Sequence, residues 1–112
     1  MTDSIINKIT SETARWVPEL IQDDLGKIIL FGSYARGDYT SESDIDIAVL
    51  LTCDRKEMAK YKDRLVKLSA EMDLENMVVV NFICLPYKEF NEKKEYYPFY
   101  GNIDKEGQVI YG

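Results

Sequence analysis

The sequence contains no histidine and only two cysteines among its 112 residues. Without an imidazole, histidine-based acid–base catalysis is excluded and a zinc site loses its commonest nitrogen ligand. Cys53 and Cys84 each end an apolar run and do not form a close pair of metal-ligand spacing, so both read as reduced core thiols. Positive charge is also scarce. The 14 basic residues against 20 acidic ones leave a formal net charge of -6, a sign that repels the phosphate backbone and argues against a templated polymerase or any protein that grips long nucleic acid. No window approaches the roughly 18 apolar residues of a membrane span. The first residues, MTDSIINKITSETARW, lack the basic start and apolar stretch of a secretory leader. A soluble, cytoplasmic chain is expected, folded as a single domain over residues 1–112. Neither a Walker-type phosphate loop nor a GxGxxG turn occurs, which disfavours ATPase and dinucleotide enzymes. Any chemistry must rest on carboxylates, hydroxyls or bound metal.

What is present is an alternation of helical and strand patterns. Ile5, Ile9, Thr13 and Trp16, with Ile6 beside them, recur at helical spacing after the caps Thr2 and Asp3, and Pro18 marks a break or restart. Lys27 to Phe31 is a short apolar run ended by Gly32-Ser33, the pattern of a buried strand entering a tight turn. In the next run, Ile45 to Leu51, the two-residue period puts Asp44, Asp46 and Ala48 on one face and Ile45, Ile47 and Val49 on the other. Asp54 and Glu57 form a capping box for a helix carrying Met58, Tyr61, Leu65, Leu68 and Met72 on one stripe. Met77 to Cys84 is strongly β-prone and is stopped by Pro86. Short helices are expected around 88–94 and 99–104. Tyr96, Tyr97, Phe99 and Tyr100 read as aromatics packed against the sheet. This order predicts an α/β (α+β) domain with a small mixed sheet flanked by helices.

The chemistry concentrates between Gly32 and Asp46. A strand that ends in Gly-Ser and enters a helical turn lets backbone N–H groups approach a phosphate, because glycine has no side chain and helix N-termini favour anions. Ser33 adds a hydroxyl donor, and Arg36, one turn on, adds a planar, permanently charged fork. Asp44 and Asp46, pointing the same way from one strand, can share hard divalent cations with triphosphate oxygens. That is the arrangement nucleotidyl transfer requires, with metals activating the attacking oxygen and neutralising the leaving pyrophosphate.

The stretch from Gly32 to Leu50, GSYARGDYTSESDIDIAVL, resembles the signature of the DNA polymerase beta-like nucleotidyltransferase superfamily, especially its minimal prokaryotic branch. The ending from Pro98 to Gly112, PFYGNIDKEGQVIYG, is similar to that of some short members, with no chemistry assigned to it. The resemblance implies the nucleotidyltransferase fold, with Gly32, Ser33 and Arg36 as nucleotide-binding residues and Asp44 and Asp46 as catalytic ligands of two Mg2+ ions. The family usually adds a third carboxylate from a later strand. Here the run from Met77 to Cys84 contains no acid; Met77 or Asn81 holds the expected position, and the nearest acids are Asp73 and Glu75. Glu75 shares the parity of Met77, Val79 and Asn81 and is the candidate substitute. The implied activity is Mg2+-dependent transfer of a nucleotide, AMP from ATP, to an acceptor hydroxyl on a partner protein. The alternative is a catalytically weakened nucleotide-binding domain acting as antitoxin or binding subunit for a helical HEPN-type toxin.

Overall fold

The computed structural model describes residues 2–112, with side chains from Ser4 onward. The capping roles expected of Thr2 and Asp3 fall on side chains outside the described residues. Helix α1 spans Thr2–Ile21 and is followed by a short 3-10 turn. Strand β1 (Leu25–Phe31), helix α2 (Ser33–Arg36), strand β2 (Ile45–Leu51) and helix α3 (Arg55–Asn76) come next. Strand β3 (Val80–Pro86), helices α4 (Tyr87–Lys93) and α5 (Pro98–Glu106) and strand β4 (Gln108–Tyr111) complete the chain. The four strands form one sheet in the order β3-β2-β1-β4. β1 runs antiparallel to both β2 and β4, while β2 and β3 are parallel. This is the expected mixed sheet.

β2 lies at the centre, and every residue in it except Asp46 is buried. One face, carrying Ile45, Ile47, Val49 and Leu51, packs on Ile9 and Val17 of α1 and on Met58, Tyr61, Leu65 and Met72 of α3. The other, carrying Ala48 and Leu50, packs with Ile29 on Phe90 of α4 and Tyr100 and Ile103 of α5. Burial of these side chains is the main stabilising term, at about 1.5–3 kcal/mol per large aliphatic group. The α3 stripe folds as its spacing predicts, and Asp54 caps the helix by accepting from the Glu57 amide at 2.9 Å. At the other end of the sheet from Asp46, the Tyr61 hydroxyl donates to Asp24, which pushes the Tyr61 pKa up to about 12. Both thiols are free, and burial pushes that of Cys84 up to about 11, so it is protonated at neutral pH.

The structure corrects several boundaries. α1 does not break at Pro18. Proline there removes a single helical bond near the helix end, while Val17 and Ile21, both buried, hold the last turn on the core. The buried stripe of α1 runs through Ile9, Thr13 and Val17, leaving Trp16 41% exposed with Arg15 stacked over its ring. α3 extends to Asn76, and Met77, expected in a strand, closes it in the left-handed conformation at φ 57° and is 90% exposed. β3 therefore starts at Val80 and includes Pro86 instead of stopping before it. Proline is tolerated there because β3 is an edge strand and Pro86 is its last residue. Of the four aromatics expected to pack on the sheet, Tyr100 is buried, whereas Tyr96, Tyr97 and Phe99 are exposed.

β4 was not expected. It has four residues, mostly exposed, and among the described residues pairs with β1 alone. Gly107 makes this return possible, since a Cβ on it would lie 2.3 Å from the Ile103 carbonyl and 2.4 Å from Ile29 Cγ2. Gly107→Ala should therefore destabilise the domain by about 1–3 kcal/mol through overpacking. The loss should fall first on β4, read as faster amide hydrogen exchange at residues 108–111.

Candidate active site

The site forms where three strands meet at one end of the sheet. Phe31, the last residue of β1, pairs with Asp46, and Asp46 pairs on its other side with Asn81 of β3. Asp46 points to the face of α4 and α5, by the parity of Ala48 and Leu50. It is half-buried, and Asp44, just before β2 on the same parity, is exposed.

Gly32 leaves β1 at φ 77° and ψ -157°, a region that glycine enters without steric cost. A Cβ on Gly32 would stand 2.7 Å from Asp46 Oδ2, so bare backbone and carboxylate are in contact. α2 follows as a single turn in which the Ala35 and Arg36 amides both donate to the Gly32 carbonyl at 3.1 Å. The first amides of a helix have no intrahelical acceptor and remain available to an anion. Gly37, at φ 88°, ends the turn with its amide donating to the Ser33 carbonyl at 2.9 Å. Tyr34, buried, stacks on Tyr39 at 4.4 Å and ties the turn to the loop that leads to Asp44.

Arg36 is held by two acids, donating from Nε to Asp38 at 3.2 Å and from Nη1 to Glu106 of α5 at 3.3 Å. These hydrogen bonds raise its already high pKa, Asp38 first. Gln108 Nε2 donates to the Ala35 carbonyl at 3.2 Å. The C-terminal segment thus braces α2 from α5 and β4, a role for the Pro98–Gly112 ending that the sequence did not reveal, because both contacts cross some seventy residues of chain.

Asn81 is the other residue whose part emerges only in three dimensions. Its Nδ2 donates to Asp44 Oδ2 at 3.3 Å and to Asp46 Oδ1 at 3.2 Å. Of the two positions considered for a third side chain, the fold selects Asn81 and removes Met77. Glu75 does not fill the gap. It sits on α3 and lines a groove of about 410 Å³ between α1 and α3, with Trp16, Leu20 and Leu68, on the sheet face opposite Asp46. Among the described residues, no group of three close acids includes Asp44 and Asp46. Glu75 belongs to the helix because α3 runs on past it, so its strand parity does not apply. Asp73 is also engaged elsewhere, accepting from the Val80 amide at 2.8 Å.

Two carboxylates, crosslinked by the Asn81 amide and presented beside a turn with free amides, form an oxygen donor pair suited to a hard divalent cation. An anionic group at Gly32-Ser33 would lie next to it. That pairing suits a phosphate ester bound together with a cation. The family model described as nucleotidyltransferase domain matches residues 12–108, and the chain belongs to that family. It is a nucleotidyltransferase, with a nucleotide as substrate. It is 45% identical over 85 residues to a protein of Methanocaldococcus jannaschii provisionally named a protein adenylyltransferase, covering 76% of this chain and 77% of that protein. Among solved structures, it resembles a chain from a mutant MntA–HpeT toxin–antitoxin complex at a TM-score of 0.55 and 21% identity, over 90% of this chain and 72% of that one. It also resembles a chain from a toxin–antitoxin structure with AMP-PNP at 0.50 and 21%, over 100% and 74%. These likenesses establish the nucleotidyltransferase fold.

Gly32→Ala tests the contact that organises the site. The left-handed backbone and the collision with Asp46 Oδ2 should together cost about 1–3 kcal/mol. Binding of a nucleoside triphosphate should fall further than stability does, as calorimetry at a temperature well below the melting point would read.

Proposed function

We propose that this chain is a protein adenylyltransferase that moves AMP from ATP to a hydroxyl on a partner protein. The observation that carries the reading is the packing of Gly32 against the Asp46 carboxylate, which sets a phosphate-accepting turn beside a pair of acids on one strand. The name of the Methanocaldococcus jannaschii relative and the AMP-PNP of the toxin–antitoxin structure support AMP as the group transferred.

In this reading the amides after Gly32 and the Ser33 hydroxyl take the terminal phosphates, and Arg36, oriented by Asp38 and Glu106, contacts them from the far end of α2. Asp44 and Asp46 would hold Mg2+, two ions in the full complex, and the metal would supply charge neutralisation for the phosphates. The acceptor oxygen bonds to the α-phosphorus as the bond to the bridging oxygen breaks. Pyrophosphate leaves, and the hydroxyl proton passes to water. The protein's part is mainly to position the groups.

The partner is a protein. A net charge of -6 disfavours long nucleic acid and suits a neutral or basic protein face. Tyr97 and Phe99 are about half-exposed, and Phe99 meets Phe31 edge-to-face at 6.0 Å, which puts an apolar rim next to Asp46. The resemblance to toxin–antitoxin structures points to a toxin as that partner, and the family resemblance of Gly32 to Leu50 implies a helical HEPN-type one, met in the cytoplasm. No helix is long and apolar enough to cross a membrane among the described residues. A second reading, an antitoxin that neutralises by binding with weakened catalysis, is favoured by one observation: Asn81 stands where the family usually supplies a third carboxylate.

Two measurements test this. Calorimetry with ATP and Mg2+ should show binding to the wild type and none to the Asp44→Asn/Asp46→Asn double variant. Ser33→Ala should keep binding but lose about 1–3 kcal/mol of it, the range for a hydrogen bond to a charged group. Intact-mass spectrometry of the chain co-expressed with its neighbouring gene product, incubated with ATP and Mg2+, should show adenylate increments on the partner. A stable complex that gains no mass supports the binding reading, and strong RNA or DNA binding without a protein partner contradicts both.

A further inference from the structure

Asp44, just before β2, and Asp46, in it, carry like charges two residues apart on the same parity, and among the described residues no lysine or arginine pairs with either. A donor that both share is the Asn81 side-chain amide, at 3.3 and 3.2 Å. The placement does not depend on rotamer alone, because the parallel register fixes Asn81 directly opposite Asp46. The two oxygens of Asp46 are also distinguished: Oδ1 accepts from Asn81, and Oδ2 is the atom against Gly32. Asn81 therefore helps fix the orientation of the Asp46 carboxylate, with one oxygen on Asn81 and the other toward the phosphate turn.

We propose that Asn81 is a positioning residue of this site, a neutral crosslink that orients both aspartates toward a divalent cation and occupies the place of an acid. The proposal rests on the reading of Asp44 and Asp46 as cation ligands. Its physical content is a difference between amide and carboxylate. An ionised aspartate at position 81 could only accept hydrogen bonds, so it would abandon the crosslink and set a third negative charge beside the first two. Such a site repels itself when empty and holds a cation more tightly. With Asn81 the acids are already restrained without a cation, their combined charge stays at two, and β3 carries no carboxylate to receive the acceptor's proton.

Mn2+ binding to the full chain, followed by electron paramagnetic resonance without nucleotide, tests this independently of catalysis. Removing an outer-shell partner of a metal ligand typically weakens the metal by 10–100-fold, so Asn81→Ala should weaken Mn2+ by about tenfold. Asn81→Asp should act in the opposite direction, binding Mn2+ more tightly than wild type while melting at a lower temperature in its absence and recovering when Mn2+ is added. The two variants move in opposite directions, so a general loss of structure cannot mimic the pattern. Unchanged Mn2+ affinity in both, with affinity abolished in Asp46→Asn, would overturn the role of Asn81 alone. Unchanged affinity in Asp46→Asn as well would overturn the cation reading on which it rests.

Discussion

The contact between the Gly32 backbone and the Asp46 carboxylate is the constraint around which the rest of this domain is arranged. It exists because β1 and β2 pair antiparallel with Phe31 opposite Asp46, so the strand that ends in the turn and the strand that begins with the acids meet at the same end of the sheet. Any side chain at position 32 would have to displace Asp46 Oδ2, 2.7 Å from where its Cβ would be. The turn and the carboxylate therefore form one unit, and a ligand that touches one is within reach of the other.

The remaining elements hold that unit from two sides. β2 is buried on both faces, by α1 and α3 on one and by α4 and α5 on the other, so its only half-open position is the one the site uses. α2 is a single turn with little core of its own. It is secured by Tyr34 beneath it, by Gln108 donating to the Ala35 carbonyl, and by Glu106 on Arg36. The Arg36 pairs are surface contacts and add little stability singly, but they fix the direction of a guanidinium beside the turn. Asn81 does the same for the two acids from the β3 side.

Much of this was legible in the sequence where the signal is local. Alternation through Ile45–Leu51 gave the face of Asp46, and the α3 stripe with its Asp54 cap gave that helix, because each depends on residues a few positions apart. What escaped the sequence is set by long-range pairing. β4 is four mostly exposed residues whose strand state is imposed by β1. Glu75 shares the period of Asn81 but lies in the last turns of a helix that runs further than its apolar stripe suggested. Pro18 sits in α1 because buried neighbours outweigh one missing hydrogen bond. The functional weight of Asn81 becomes visible only when register places it opposite Asp46, since nothing in its own neighbourhood, between Val80 and Phe82, singles it out.

If one triphosphate lies against both the turn and the acids, backbone amide shifts on titration with ATP and Mg2+ read that directly. The largest changes should fall on Gly32 to Arg36, Asp44 to Asp46 and Asn81, with the α1–α3 groove around Trp16 and Glu75 unmoved. Changes centred on that groove, with Gly32 and Asp46 silent, would contradict it.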